Sequence, residues 1–240
     1  MKTVVLGDIH GRTCWKEIVE KEKDAEKIVF LGDYVSTHYF IPASHQLTNL
    51  DEILDYKEGD KDRVVLLRGN HDTQHLGYEW GRCSGFDYNV ARGMPKERYL
   101  SLTQWAYIDD VTKTLYTHAG VSTVWMELHG IKDVHDINAL PPSEMFGFSL
   151  VDYPADNIGT SPTQPLTWIR PDTLLEHGVP GWRQIVGHTP QERLNSRKTV
   201  NGDEAWFCDT LEQREYLVID GDTYDVRQLP EPSDERDKRR

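Results

Sequence analysis

TVVLGDIHG, residues 3–11, sets an apolar, β-branched run directly against Gly-Asp-x-His-Gly. A continuous run such as Thr3-Val4-Val5-Leu6 suits a strand covered on both faces. Polar residues just past such a strand fall where an open α/β sheet places its site. The phrase repeats along the chain. Ile28 to Leu31 runs into Gly32-Asp33, and Val64 to Leu67 runs into Arg68-Gly69-Asn70-His71-Asp72. Between these runs, Trp15 to Lys23 carries Ile18 and Val19 among charges, and Gln46 to Tyr56 places Leu47, Leu50, Ile53 and Leu54 on one side of a helix. This alternation predicts βαβ units.

The second half reads as richer in strands. Thr114 to Thr117 precedes His118, and Gln184 to Val186 precedes Gly187-His188. Ala205 to Cys208, Tyr216 to Ile219 and Thr223 to Val226 follow as late strands, separated by turns such as Asp220-Gly221. The expected architecture is an α/β fold of two facing mixed β-sheets flanked by helices, a four-layer α-β-β-α sandwich. Residues 1–228 form the expected single domain, and the charged segment 229–240 is read as a disordered tail. Phe86 to Pro95 and Tyr153 to Pro165 read as irregular loops, the latter crossing near the mouth of the site.

A chain of 240 residues with 28% charged and 38% hydrophobic residues suits a soluble globular protein with a proper core. Its net charge of -13 argues against nucleic acid or an anionic membrane as partner. Bound cations would still let an acidic protein take a phosphate. Cys14, Cys83 and Cys208 are too few and too widely spaced for a disulfide framework or a zinc ribbon, which leaves reduced thiols in a cytoplasmic protein. No apolar stretch is long enough to span a membrane, and the short run before Gly7 reads as a strand rather than a signal peptide.

The chemistry lies in the residues that end the strands. Asp8 and His10 stand two apart and can converge on one ion; the carboxylate of Asp33 can bridge two ions. Asn70 offers a carbonyl oxygen, and His118 and His188 offer imidazole nitrogens. Such a mixed oxygen and nitrogen set suits two divalent ions of the Mn, Fe or Zn kind, with Mn favoured, rather than Ca. A metal pair polarises phosphoryl oxygens and acidifies a water that attacks phosphorus in line. His71, directly after Asn70, is placed to protonate the leaving oxygen. Each fragment alone has an ordinary explanation, such as a helix cap for Asp8 or a turn for Gly-Asp. Five fragments in order, several of them closing a strand, do not. His38, His45, His75, His129, His135 and His177 lack that context, and only His75 and His38 are candidates for the site rim.

The fragments GDIHG, GDYVSTH, GNHD, THAG and GHT resemble the calcineurin-like metallophosphoesterases, and among them the phosphoprotein phosphatase family, over about Thr3 to Ile219. The resemblance implies one metal on Asp8, His10 and Asp33, and a second on Asp33, Asn70, His118 and His188. It implies a catalytic set of His71, Asp72 and Arg170. PLTWIRP resembles a stretch of bacterial and phage members, which makes Arg170 a phosphate ligand. Cys208-Asp209-Thr210 resembles a late Asp-Thr-Gly element of structural type. Pro190 stands where nuclease-like members carry a second histidine, which favours the phosphatase side.

One departure bears on function. Ser36, Thr37 and His38 stand where the family pattern has Asp, Arg and Gly. The Asp normally orients the proton-donor histidine and favours its charged form, and the Arg normally helps bind phosphate. Ser36 can hydrogen-bond to His71 but brings no charge, so Arg170 or Arg68 is expected to carry more of the phosphate. Weaker general activity or a specialised substrate follows. The expected enzyme is a two-metal phosphatase for phosphomonoesters, with phosphoserine or phosphothreonine in proteins as the leading substrate. The alternatives are a nucleotide hydrolase of the diadenosine-polyphosphate type, a binding protein that has lost the reaction, and a nuclease. Tyr34, Tyr88 and Trp168 are candidates for stacking on a base.

Overall fold

The computed structural model describes residues 1–37, 40–79, 83–149 and 160–231. The first half threads β1 (Lys2–Leu6), α1 (Trp15–Lys21), β2 (Lys27–Phe30), α2 (Ala43–Gly59), β3 (Val64–Leu66) and α3 (Asn70–Thr73). Then come α4 (Tyr88–Gly93), α5 (Lys96–Leu102), β4 (Ala106–Asp109), β5 (Thr114–Thr117), α6 (Thr123–Leu128) and α7 (Pro171–His177). The chain closes with β6 (Arg183–Val186), β7 (Asn195–Lys198), β8 (Glu204–Phe207), β9 (Glu215–Asp220) and β10 (Thr223–Gln228).

Two five-stranded mixed sheets result, ordered β10-β9-β1-β2-β3 and β4-β5-β6-β8-β7. In the first, β1, β2 and β3 run parallel, while β9 returns antiparallel to β1. In the second, β5, β6 and β8 run parallel, with β4 and β7 antiparallel at its edges. The period of two along each strand divides the side chains between layers. Val5, Val29, Val65 and Leu217 turn inward against Tyr116 and Ile185 of the other sheet, so the sheets pack face to face. Val4, Leu6, Ile28, Phe30, Val64 and Leu66 turn outward under Ile18 of α1, Leu50, Ile53 and Leu54 of α2, Val90 of α4 and Tyr99 of α5. On the far side, α6 covers its sheet through Trp125 and Met126, and α7 through Leu174. Burial on both faces explains the unbroken apolar runs of β1, β2 and β3.

The expected strands are present with ends shifted by one or two residues. Two edge strands, β4 and β7, were not expected; Asn195–Lys198 is polar and only partly buried, so it carries no apolar signal. Phe86 to Pro95, expected to be irregular, contains α4, whose first turn is capped by the Asp87 carboxylate accepting from the Asn89 N–H at 2.7 Å. Residues 153–159 of the Tyr153 to Pro165 loop, His38, and residues 232–240 of the expected tail lie outside the described residues. Among the described residues, no helix is long and apolar enough to cross a membrane.

Candidate metal centre and cleft

Five strands end at one place. Asp8 follows β1, Asp33 follows β2, Asn70 follows β3, His118 follows β5 and His188 follows β6. Asp8, Asp33 and His118 are buried, and each offers a ligand atom within 4.8 Å of the others. Asn70 joins them, its Oδ1 lying 2.9 Å from His118 Nε2 and 3.2 Å from His188 Nδ1. His10 Nε2 lies 3.8 Å from Asp8 and 3.9 Å from Asp33. All six residues expected to hold metal are therefore brought together.

Three backbone carbonyls set the imidazoles. His10 Nδ1 meets Ser36 O at 2.6 Å, His118 Nδ1 meets Leu31 O at 2.8 Å, and His188 Nε2 meets Trp168 O at 3.1 Å. A carbonyl only accepts, so each of these nitrogens carries the proton. The other nitrogen of each ring faces an oxygen of Asp8, Asp33 or Asn70. Metal-binding histidines have this tautomer and this kind of outer partner. Burial, then the charge of Arg12, lowers the His10 pKa to about 4. Burial, then His118, holds His188 well below the usual imidazole range.

The carboxylates carry the opposite strain. Asp8 is pushed up by burial and next by Asp209, and Asp33 by burial. Two buried carboxyls set among imidazoles make an environment that a cation relieves, and the donor set fits a pair of divalent ions. The backbone is built around them. His10, Asp33, Ser36 and His188 have positive φ, four of the six such non-glycine residues described. Such strain concentrates where structure around a site over-determines it. A Cβ on Gly69 would stand 2.0 Å from Asp33 Oδ1, and one on Gly187 2.2 Å from Asp8 Oδ1. Glycine is what lets the strands' ends close on the two carboxylates.

The cleft over this centre holds about 360 Å³. His71 lines it, its backbone N–H donating to Asp33 Oδ1 at 2.9 Å and its ring set edge-on to His10. Arg170 lines it from the start of α7, its Nη1 donating to Thr189 Oγ1 at 3.0 Å.

Three expectations are corrected. Arg68 turns away: its guanidinium donates to Thr103 Oγ1, Thr103 O and Leu100 O and stacks on Trp105, which ties down α5. Asp72, fully buried, accepts from the backbone N–H groups of Tyr34, Val35 and Gly69 and from the Tyr99 hydroxyl. It fastens the loops after β2 and β3 together rather than facing the cleft. Ser36 Oγ reaches the His71 carbonyl, at 3.4 Å, and not the His71 ring.

Among the stacking candidates, Tyr34 is fully buried with its hydroxyl on Leu67 O, and Tyr88 stands exposed beside a neighbouring groove. Only Trp168 lines the cleft. His75 is buried between the His71 carbonyl and the Asp87 N–H and stacks on Phe86, a structural role. The sequence reading missed Arg12, which lines the cleft directly after the first motif. It also missed Gln74, one helical turn past His71, for which only the i+3 spacing was a signal. Asp209, expected to be structural, lines the cleft too, its carboxyl raised to about 6 by burial.

This pair of sheets with a buried, strand-end cluster of Asp, Asn and His defines a metallophosphatase-like α/β sandwich. The family model of calcineurin-like phosphoesterases matches residues 1–221, and the chain belongs to that family. It is 26% identical over 171 residues to a symmetrical bis(5'-nucleosyl)-tetraphosphatase of Klebsiella pneumoniae, covering 62% of this chain and 54% of that one. It is 30% identical over 129 residues to the catalytic subunit of serine/threonine-protein phosphatase 4 of Saccharomyces cerevisiae, covering 52% of this chain and 37% of that one. The chain thus spans about half or less of the length of these relatives. In fold it is similar to a cold-active protein-tyrosine phosphatase of a Shewanella species, with a TM-score of 0.58, 20% identity and coverage of 95% and 80%. A Saccharomyces cerevisiae protein serine/threonine phosphatase follows at 0.56 and 13%, covering 98% and 82%.

Proposed function

We propose that this chain is a two-metal-dependent phosphoester hydrolase. The observation that carries the reading is the set of three imidazoles, each with one nitrogen given to a backbone carbonyl and the other turned toward Asp8, Asp33 and Asn70. Asp8, His10 and Asp33 would hold one ion; Asp33, Asn70, His118 and His188 would hold the other, with Mn favoured by the mixed donors. When bound, such a pair supplies Lewis acidity to the phosphoryl oxygens and an acidified water as nucleophile.

The chain's own residues do the rest. Arg170 and Arg12 bring two guanidinium groups to the cleft, where a phosphate would be neutralised and oriented. They stand in for the arginine that Thr37 lacks. His71 faces the leaving oxygen. The resemblance of the motifs favours phosphoserine or phosphothreonine in proteins as substrate, with the enzyme itself cytoplasmic. A second reading, a nucleotide hydrolase of the diadenosine-polyphosphate type, is supported by the likeness to the symmetrical bis(5'-nucleosyl)-tetraphosphatase.

The test is hydrolysis of para-nitrophenyl phosphate with Mn(II), with Asp33→Asn beside the wild type. A bridging carboxylate is expected to be worth several kcal/mol of transition-state stabilisation, so the variant should lose about 10³-fold in kcat/KM. A wild-type rate that is indifferent to chelator would overturn the reading.

A further inference from the structure

Arg170 reaches the cleft with most of its donors unused. A guanidinium can donate along several edges at once. Among the described residues this one makes a single hydrogen bond, from Nη1 to Thr189 Oγ1 at 3.0 Å, and no ion pair. Burial lowers its pKa, and Asp209 and Asp8 offset part of that only through space. A long side chain held at no other point samples many rotamers, so this one contact decides where the charge lies.

The acceptor is itself fixed. Thr189 follows His188, and its N–H donates to Gly187 O at 2.7 Å, closing a three-residue turn around the positive φ of His188. The His188 N–H donates to Asp8 Oδ1 at 3.0 Å, and Gln191 Nε2 donates to Thr189 O at 2.9 Å. The segment that carries Arg170 is pinned to the same turn a second time, where His188 Nε2 donates to Trp168 O at 3.1 Å. The Thr189 hydroxyl is therefore a post built on the backbone that carries a metal-ligand candidate.

We infer that Thr189 is a positioning residue that aims the guanidinium of Arg170 at the phosphoryl group and leaves its charge for that group. The inference rests on the hydrolase reading above. It follows from the kind of acceptor used. A carboxylate in this place would hold the guanidinium equally well but would cancel its charge. A hydroxyl oxygen holds it and brings no charge, so the full attraction for a phosphate anion remains. The turn also sets a spacing. The hydroxyl that fixes Arg170 and the imidazole of His188 stand on consecutive residues, so the cation and the metal centre are held in one arrangement, which the phosphate meets as a unit.

The test compares Thr189→Val, which keeps the branched shape and removes the acceptor, with Thr189→Ser, which keeps the hydroxyl. With Mn(II) and para-nitrophenyl phosphate, Thr189→Val should raise KM by about tenfold, the worth of one hydrogen bond to a charged group. Its kcat should change by less than about threefold, as for binding shared by substrate and transition state. Thr189→Ser should keep KM near the wild-type value. In an Arg170→Ala background Thr189→Val should raise KM no further, because the two residues act as one unit. Calorimetric titration should find the same Mn(II) affinity in Thr189→Val as in the wild type. An unchanged KM, an equal rise in the Arg170→Ala background, no rescue by Ser, or weakened Mn(II) binding would each overturn the inference. A wild type inactive on every phosphoester would sink the hydrolase reading instead. Binding of inorganic phosphate to the Mn(II)-loaded chain then decides the role of Thr189: the inference requires a Kd about tenfold higher in Thr189→Val, and an equal Kd refutes it.

Discussion

Two guanidinium groups make the largest unassigned contribution at the scale of single residues. Arg170 is anchored by Thr189, and Arg12 lies 3.4 Å from Ile9 O and 3.7 Å from Glu212. A charge-assisted hydrogen bond is worth about 1.5–3 kcal/mol. Arg170→Ala and Arg12→Ala should each lower kcat/KM for para-nitrophenyl phosphate by about 10- to 100-fold. Thr37→Arg, which restores the family's arginine, should recover part of the loss in Arg12→Ala. Steady-state kinetics on the double variant check this, and additive losses with no recovery would mean that Arg12 binds no phosphate. The same scale shows what single letters conceal. Asp72 and Arg68 look like site residues in the string GNHD and its flank, yet each spends its polar atoms on backbone groups of the loops around it.

The elements matter through their ends. β1, β2, β3, β5 and β6 deliver ligands because each stops at the same edge of its sheet, and at four of these junctions Gly7, Gly32, Gly69 and Gly187 leave no room for a Cβ. At Gly69, between β3 and α3, an added Cβ would meet Asp33 Oδ1 at 2.0 Å and Asp33 N at 2.4 Å. Gly69→Ala must therefore push the loop after β2 away from the loop after β3. Disturbing the support of a metal ligand costs about 10–100-fold in affinity. Calorimetric titration with Mn(II) should show at least that loss, and unchanged affinity would mean that the loop moves without cost. The strands themselves were legible because burial on both faces demands apolar runs. The edge strand β7 was not, since Asn195–Lys198 has no such demand on it.

For the whole molecule, folding and metal binding are linked through protons. Burial raises the carboxyls of Asp8 and Asp33, and takes Asp209 to about 6 and Asp72 to about 7. The folded metal-free chain therefore keeps protons that the unfolded chain releases near pH 4. The stability this confers is complete below that range and is lost as pH rises through the folded values. A divalent ion needs Asp8 and Asp33 ionised, so it stabilises the fold more as those protons leave. The gain in Tm on adding Mn(II) over chelator should widen from about pH 4 to about pH 7 in thermal scans. A gain independent of pH would show that the buried carboxyls are already ionised without metal.

The sequence by itself determined the parallel strands, the sandwich of two sheets, and the ligand candidates, from Asp8 to His188. Each of these is a local pattern: an apolar run needs two covered faces, and a polar residue closing it needs a partner at the sheet edge. Tertiary structure alone decided the tautomers of His10, His118 and His188, because their carbonyl partners come from Ser36, Leu31 and Trp168, distant in the chain. It also decided which polar neighbours serve chemistry. Arg68 and Asp72 were drawn into holding loops, while Arg12 and Gln74 were brought to the cleft and to His71. A hydrogen bond's direction depends on what stands at both of its ends, and the chain order specifies only one end at a time.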